Sequence, residues 1–302
     1  MRTRISRPTL TALLGLCLAG AAGAQNLEDV EIETVDLGDG VAMLVGQGGN
    51  IGLSVGDDGS FLIDDQFAPL TPKIRAAVEA FGGGPIRFVV NTHFHGDHSG
   101  GNEPLARAGA VVVAHDNVRA RMSTPQHNAL RGTSTPPSPP AARPLLTYGD
   151  AVTFHLNGKT IRAVHVPHAH TDGDSIIHVA GANVLHMGDT YFAGMYPYID
   201  VDGGGSIDGL IAAAGRGLEL ADDETRIIPG HGPLSTRADL EAYRDMLVAL
   251  RAAVQEQIDA GRSSEEAIAA RPTRALDPVW ATGFMKPEYI VRVVYRSLST
   301  SR

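Results

Sequence analysis

The chain predicts an α/β fold, a four-layer αββα sandwich. Short β-prone runs recur in both halves, separated by glycine and aspartate turn signals. Amphipathic helical stretches lie between and after them. Two strand-rich halves that must each cover a face stack as paired sheets, with helices over the outer faces.

The elements follow in chain order. Strands are expected at 41–45, 51–55 and 61–63, parted by turns such as Gly38-Asp39-Gly40 and Gly56-Asp57-Asp58-Gly59. A helix over 72–81 ends at Gly82-Gly83-Gly84-Pro85, and a buried strand occupies 86–90. A helix near 104–108 and a strand at 110–113 come next. Residues 123–144 carry Pro125, Pro136, Pro137, Pro139, Pro140 and Pro144, which reads as a loop, either a linker or a flap over a site. Strands return at 152–155, 161–166, 176–179, 184–186 and 227–228, with a helix capped by Ser206 and running to about Leu220. The clearest helix spans 237–260, where Leu240, Tyr243, Leu247, Leu250, Val254 and Ile258 form one apolar stripe.

Composition bounds the class. With 302 residues, 43% hydrophobic and 20% charged, the chain has an ordinary globular make-up. Arg2, Arg4 and Arg7, the uncharged run from Leu10 to Ala22, and Ala22-Gly23-Ala24 together read as a signal peptide over 1–24. The remainder, 25–302, reads as one domain, periplasmic or secreted. Cys17, the one cysteine, lies in the leader and follows Leu16 rather than the small residue a lipid-attachment site wants. The mature chain would then have no thiol and no disulfide. No later stretch is long and apolar enough to span a bilayer. The formal net charge is −9, and loss of three arginines makes the remainder more acidic. Such a chain lacks the basic footprint that nucleic-acid binding needs, so a small-molecule substrate is expected. Oligomeric state is not legible.

The chemistry concentrates in Thr92-His93-Phe94-His95-Gly96-Asp97-His98-Ser99-Gly100, directly after a buried strand. Imidazole and carboxylate are the ligands that divalent zinc takes when no thiolate is present. Further histidines and aspartates sit on glycine-rich loops at strand ends. These are Val166-Pro167-His168-Ala169-His170-Thr171-Asp172-Gly173-Asp174, Gly188-Asp189-Thr190 and Pro229-Gly230-His231-Gly232. His155, His165, His178 and His186 lie in or beside strands and read as packing or surface residues; His115 and His127 have no assignment.

Those four motifs, in this order, resemble the signature of the metallo-β-lactamase superfamily, and the resemblance runs from about Val30 to Leu250. It implies the αββα sandwich with a two-metal site at the edge between the sheets. It implies His93, His95 and His170 on a first ion, Asp97, His98 and His231 on a second, and Asp189 bridging both. His168 is the one rival of His170, which is preferred because Thr171 follows it. Two divalent ions are implied, zinc first, with iron or manganese as alternatives. They would activate a water for attack on a carbonyl-type bond, with Asp97 handling the leaving-group proton. Asp64, Asp65, Asp172 or Asp174 would orient ligand imidazoles, and Tyr196, ahead of Tyr191 and Tyr198, would line the substrate pocket.

Departures narrow the branch. The β-lactamases with a cysteine ligand have Cys at the position of Asp189 and a lysine at that of Phe192, so that carboxylate clamp is missing. An exported β-lactamase-like hydrolase is the first reading. An exported thioesterase, lactonase or glyoxalase-like enzyme is the alternative. A non-catalytic periplasmic metal- or ligand-binding accessory protein is a third, disfavoured by the complete ligand set. The mature chain is expected to begin at Gln25. Mass analysis of the N-terminus of protein recovered from the cell envelope checks this, and a retained Met1 counts against cleavage.

Overall fold

Side chains alternate across a strand, so each strand here feeds two layers. Within Val41–Val45, Val41 and Met43 join one cluster while Ala42 and Leu44 join another. The computed structural model describes residues 27–130 and 132–300. The expected signal segment, Cys17 and the cleavage site before Gln25 lie outside the described residues.

One sheet has seven strands: β1 (Glu33–Asp36), β2 (Val41–Val45), β3 (Ile51–Ser54), β4 (Ser60–Ile63), β5 (Ile86–Val90), β6 (Val111–His115) and, beyond a small hairpin, β9 (Leu146–Tyr148). The hairpin is β7 (Gln126–Asn128) with β8 (Thr133–Thr135). The second sheet has five: β10 (Ala151–Leu156), β11 (Lys159–His165), β12 (Ser175–Ala180), β13 (Val184–His186) and β14 (Arg226–Ile228). Each sheet begins antiparallel and ends parallel. Parallel neighbours need a crossover, and helices supply it. α1 (Thr71–Ala80) joins β4 to β5, and α2 (Gly96–Ser99) and α3 (Asn102–Arg107) join β5 to β6. α4 (Asp116–Met122) follows β6, and α5 (Ile207–Leu220) joins β13 to β14. Then come α6 (Arg237–Asp259), α7 (Ser264–Ala269), α8 (Asp277–Trp280) and α9 (Pro287–Thr300).

The sandwich is the expected four layers. Phe61, Ile63 and Val90 of the first sheet meet Ile161, Ile177 and Ile228 of the second in the central core. On the outer face of the first sheet, Leu62 and Val89 pack against Ile74 and Val78 of α1. On the outer face of the second, Ile176, Leu185 and Ile227 lie in one cluster with Leu210, Leu240, Leu247 and Val294 of α5, α6 and α9. Helix starts are chemically marked. Ser206 Oγ accepts from Gly209 N, and Thr236 with Asp239 forms a capping box.

Two segments differ from expectation. The Pro-rich stretch 123–144 contains the β7–β8 hairpin and a 3-10 turn at Pro140–Ala142, because Gln126–Asn128 and Thr133–Thr135 pair across their turn. After Ala260, where no element was expected, α7, α8 and α9 complete the outer layer. α9 starts on Pro287 and buries Ile290, Val291, Val294 and Leu298, a helical spacing. Ile290→Ala should therefore cost about 2–5 kcal/mol. Urea denaturation would show a lower midpoint at unchanged slope; an unaffected midpoint would remove α9 from the core.

Candidate metal centre

The site forms where strands from both sheets end. His93 and His95 follow β5, and Asp97 and His98 lie in α2. His170 lies between β11 and β12, Asp189 after β13 and His231 after β14. Loop-to-loop bonds lock these ends together. Asn50, in the β2–β3 turn, donates its backbone N–H to Gly230 O (2.8 Å) and its side-chain amide to Pro229 O (3.0 Å) and Gly232 O (2.9 Å). Ser175 N donates to Thr92 O (2.9 Å), tying β12 to the histidine loop. The residues between β2 and β3 must also come close. A Cβ on Gly49 would stand 2.0 Å from His98 Cε1. A Cβ on Gly230 would stand 2.1 Å from Asp189 Oδ1. Only glycine lets either backbone approach that far.

The donor atoms gather into adjoining groups. His93, His95 and His170 present ligand atoms all within 4.8 Å of one another, as do Asp97, His98 and His231. A third grouping, His93, His98 and Asp189, joins the two. Asp189 Oδ1 lies 3.0 Å from His98 Nε2 and 3.3 Å from His231 Nε2. Its Oδ2 lies 3.5 Å from His170 Nε2 and 3.9 Å from His93 Nε2. One carboxylate thus turns an oxygen to each triad.

Each of four imidazoles has its outer nitrogen occupied, which fixes what the inner one offers. His98 Nδ1 donates to Asp64 Oδ2 (2.8 Å), and His170 Nδ1 donates to Tyr198 O (2.8 Å). His95 Nε2 donates to Asp200 Oδ2 (2.9 Å). His93 Nδ1 lies 3.0 Å from Thr92 Oγ1, which itself donates to Asp64 Oδ2 (2.7 Å). The inward atoms are therefore His93 Nε2, His95 Nδ1, His98 Nε2 and His170 Nε2. Among the described residues His93 Nε2 has no hydrogen-bond partner, a buried donor atom set aside for something other than protein. Imidazoles and carboxylates converging in this way fit divalent zinc.

The two triads differ in charge. Burial, with neighbouring imidazoles, holds His93 well below the ordinary imidazole range. Burial outweighs the pull of Asp189 and holds His170 at about 4. On the other side burial also opposes charge, but Asp189 and Asp97 outweigh it and lift His231 to about 9. Asp189, Asp97 and Asp64 likewise outweigh burial and raise His98. Asp97 and Asp189 are held well below the carboxylate range, their burial outweighed by the facing imidazoles. In the metal-free protein, protons stand where the second triad would take a cation.

The supporting residues only partly match expectation. Asp64, fully buried, orients His98 and also accepts from Thr92 N (2.7 Å). It does so at φ +66°, and Gln66 sits at φ +54°, each a conformation costing ~1–3 kcal/mol unless surrounding bonds enforce it. Asp65 accepts from Gly101 N (2.8 Å), Asp172 pairs with Arg121 (2.7 Å) and Asp174 accepts from Thr171 N (2.8 Å). None of those three bonds a ligand imidazole. Asp200, absent from the sequence candidates, does; its only sequence signal was an acid in the loop after Asp189. His168 is exposed and bonds Gly204 O (3.0 Å), whereas His170 joins the cluster. Tyr196 is corrected outright. It is wholly buried outside the cavity, and its hydroxyl donates to Asp277 Oδ1 (2.9 Å). Tyr198 lines the cavity instead. That cavity, about 730 Å³, reaches Asp97, Asp189 and His231, and the β7–β8 hairpin forms one wall. The Pro-rich stretch therefore borders the site. Of the remaining histidines, His186 is buried and donates to Asn50 O (3.1 Å), and His115 stacks on His165 at 3.6 Å.

Comparison with known proteins agrees with this geometry. The family model of the metallo-β-lactamase superfamily matches residues 44–248. A hydroxyacylglutathione hydrolase of Nitrosococcus oceani is 30% identical over 200 residues, 63% of this chain and 66% of that protein. One from Polaromonas sp. is 29% identical over 170 residues, 54% of this chain and 55% of its own. The chain thus spans roughly half to two thirds of the length of these curated relatives. Among solved structures, a stereoselective inverting sec-alkylsulfatase of Pseudomonas sp. superposes with a TM-score of 0.68 at 19% identity. That match covers 88% of this chain and 50% of the sulfatase. A metallo-β-lactamase of Pontibacter korlensis superposes at 0.58 and 17% identity, over 72% of this chain and 99% of that one. These likenesses show the shared fold.

A metal entering the Asp97–His98–His231 side must displace protons that His93 and His170 do not hold. Its affinity should fall as pH drops below about 9, roughly tenfold per unit for each proton displaced. His93 and His170 should stay available as donors until pH nears the His170 value of about 4. Calorimetric metal titration with proton-release measurement at several pH values checks this. Two equivalents with equal, pH-independent affinity would contradict it.

Proposed function

Because the chain belongs to the metallo-β-lactamase superfamily, we propose that it is a two-metal hydrolase that opens a carbonyl-type bond in a small molecule. The observation that carries this reading is the Asp189 carboxylate, with one oxygen turned to each triad. Such a group would neutralise part of two neighbouring cations and fix their separation. The nitrogen and oxygen donors favour zinc; iron or manganese would appear in metal analysis of the purified protein.

His93, His95 and His170 would hold one ion, and Asp97, His98 and His231 the other. Two ions there supply an acidified water, its pKa lowered towards about 7, and a Lewis acid for the carbonyl oxygen. The protein does the rest. Asp64, Asp200, Thr92 and the Tyr198 carbonyl hold four imidazoles by their outer nitrogens, so none of those four has to reorganise. Asp97 is the ligand carboxylate open to the cavity, 31% exposed against 5% for Asp189. It is therefore the carboxylate placed to meet a leaving group, to which it would pass a proton once metal replaced the protonated imidazoles that now hold it ionised. The names of the curated relatives support an ester or thioester bond over a β-lactam. The basic n-region, apolar run and Ala22-Gly23-Ala24 support export to the periplasm or beyond.

Asp189→Ala leaves the three-histidine side complete, which is a competent zinc site with water in the fourth place. The variant should fold and keep about one tightly bound ion. Its turnover should fall by more than the ~10–100-fold typical of outer-shell changes, with partial recovery at high added metal. Metal analysis and a metal-titrated assay decide. Two full equivalents with undiminished turnover would require the two-metal assignment to be redrawn.

A further inference from the structure

Beyond the metal ligands, the cavity offers two kinds of wall. One side is aromatic, formed by Phe67, Phe94, Phe284 and Tyr198. The other is the β7–β8 hairpin, which presents neutral hydrogen-bonding groups such as Asn128, Thr133 and Thr135. No lysine or arginine lines the cavity among the described residues. Among the described residues, the arginines bonded to or beside the hairpin are already committed. Arg121 pairs with Asp172 at 2.7 Å and also donates to Gln126 Oε1 (3.3 Å) and Asp202 O (3.2 Å). Arg296 forms a two-pronged pair with Asp202, whose other bond holds Ala129 N at 2.8 Å. The one carboxylate on the wall that is not a ligand candidate, Asp200, is negative and faces His95.

Charge taken from water into such a space is costly unless a counter-charge waits there. Cations at the two triads would be partly neutralised by Asp97 and Asp189, and the charge left over would act on the scissile group and its immediate neighbours. A carboxylate further along the substrate would find aromatic rings, amides, hydroxyls, the His127 ring and Asp200. An uncharged tail would find apolar contact on one side and hydrogen bonds on the other. We propose that this cavity selects substrates whose part beyond the scissile bond is uncharged: neutral aliphatic or aromatic esters, thioesters or lactones. This rests on the hydrolase reading for the bond cleaved, but the selection itself is a binding property. It separates this chain from the hydroxyacylglutathione named in its relatives, since the glutathione tripeptide carries carboxylates and an ammonium group.

The test uses the full metal-loaded protein and a pair of uncleavable thioethers. One is S-hexylglutathione; the other is its N-acetyl bis-methylamide, with the same skeleton and no charge. Calorimetry should find the neutral ligand at least ~10-fold tighter. Equal affinity, or preference for the charged ligand, overturns the proposal. Thr135→Arg places a cation on the hairpin wall and should shift the ratio towards the charged ligand by roughly tenfold; an unmoved ratio also overturns it. Arg131 lies between β7 and β8 in sequence, outside the described residues, so Arg131→Gln is measured as well. It should leave the ratio unchanged, and a selective loss of the charged ligand would count against the proposal. Turnover of the matching neutral thioester is assayed in parallel. Tight neutral binding without turnover would sink the hydrolase reading and leave the selectivity standing.

Discussion

The Asp64 carboxylate is the interaction on which the rest of the centre depends. It is wholly buried, and it receives the Thr92 backbone, the Thr92 hydroxyl and the His98 ring at 2.7–2.8 Å. Through Thr92 Oγ1 it also reaches His93. One anion thus sets the tautomer of a ligand on each side of the site. Placing it there requires a left-handed backbone at a non-glycine residue, and several buried charge-assisted bonds offset that strain. Asp64 belongs to the first sheet's β4 terminus, Thr92 to that of β5, and Ser175 of the second sheet donates back to Thr92 O. The fold and the site are therefore one construction: the sandwich brings strand ends together, and polar bonds between those ends hold the imidazoles in place.

The arrangement is electrostatically lopsided. His93 and His170, kept neutral by burial, stand beside a group containing Asp97, with the Asp189 carboxylate between the two sides. Buried carboxylates facing imidazoles are tolerated because the imidazoles gain protons, which a divalent cation would replace at the same positions. Metal binding there would be coupled to proton release for that reason, and to stability as well. A chain whose one cysteine lies in its expected leader has no disulfide to staple its domain. Bound metal joining both sheets would then contribute cross-links that packing alone does not.

The layers, the central motif cluster and most strands were legible in local sequence. Alternation at Val41–Val45 and the stripe along Arg237–Asp259 each report burial directly, because period two and period 3.6 are properties of a few neighbouring residues. His93, His95, Asp97 and His98 stand out because they lie within six positions of sequence. His170, Asp189 and His231 could be joined to them only through the order of motifs, not through any local pattern. Asp200 carries no motif at all. It touches His95 across 105 positions of chain, a separation that composition and periodicity do not see.

The tyrosines of the Asp189 loop mark the boundary most clearly. Sequence offered Tyr196 ahead of Tyr191 and Tyr198, though each lies in the same glycine- and proline-interrupted stretch beside a candidate ligand. The packing of α8 decided among them. Asp277 captures the Tyr196 hydroxyl and takes that ring into the helical layer, while Tyr198 stays at the cavity beside His95 and His170. What the sequence determined by itself was the class of chemistry and the layering, because residue types and spacing are encoded locally. What tertiary structure decided was orientation: which nitrogen of an imidazole faces inward, what holds it there and which aromatic ring lines the cavity. Those choices depend on partners that lie far apart in sequence and meet only when the two sheets close.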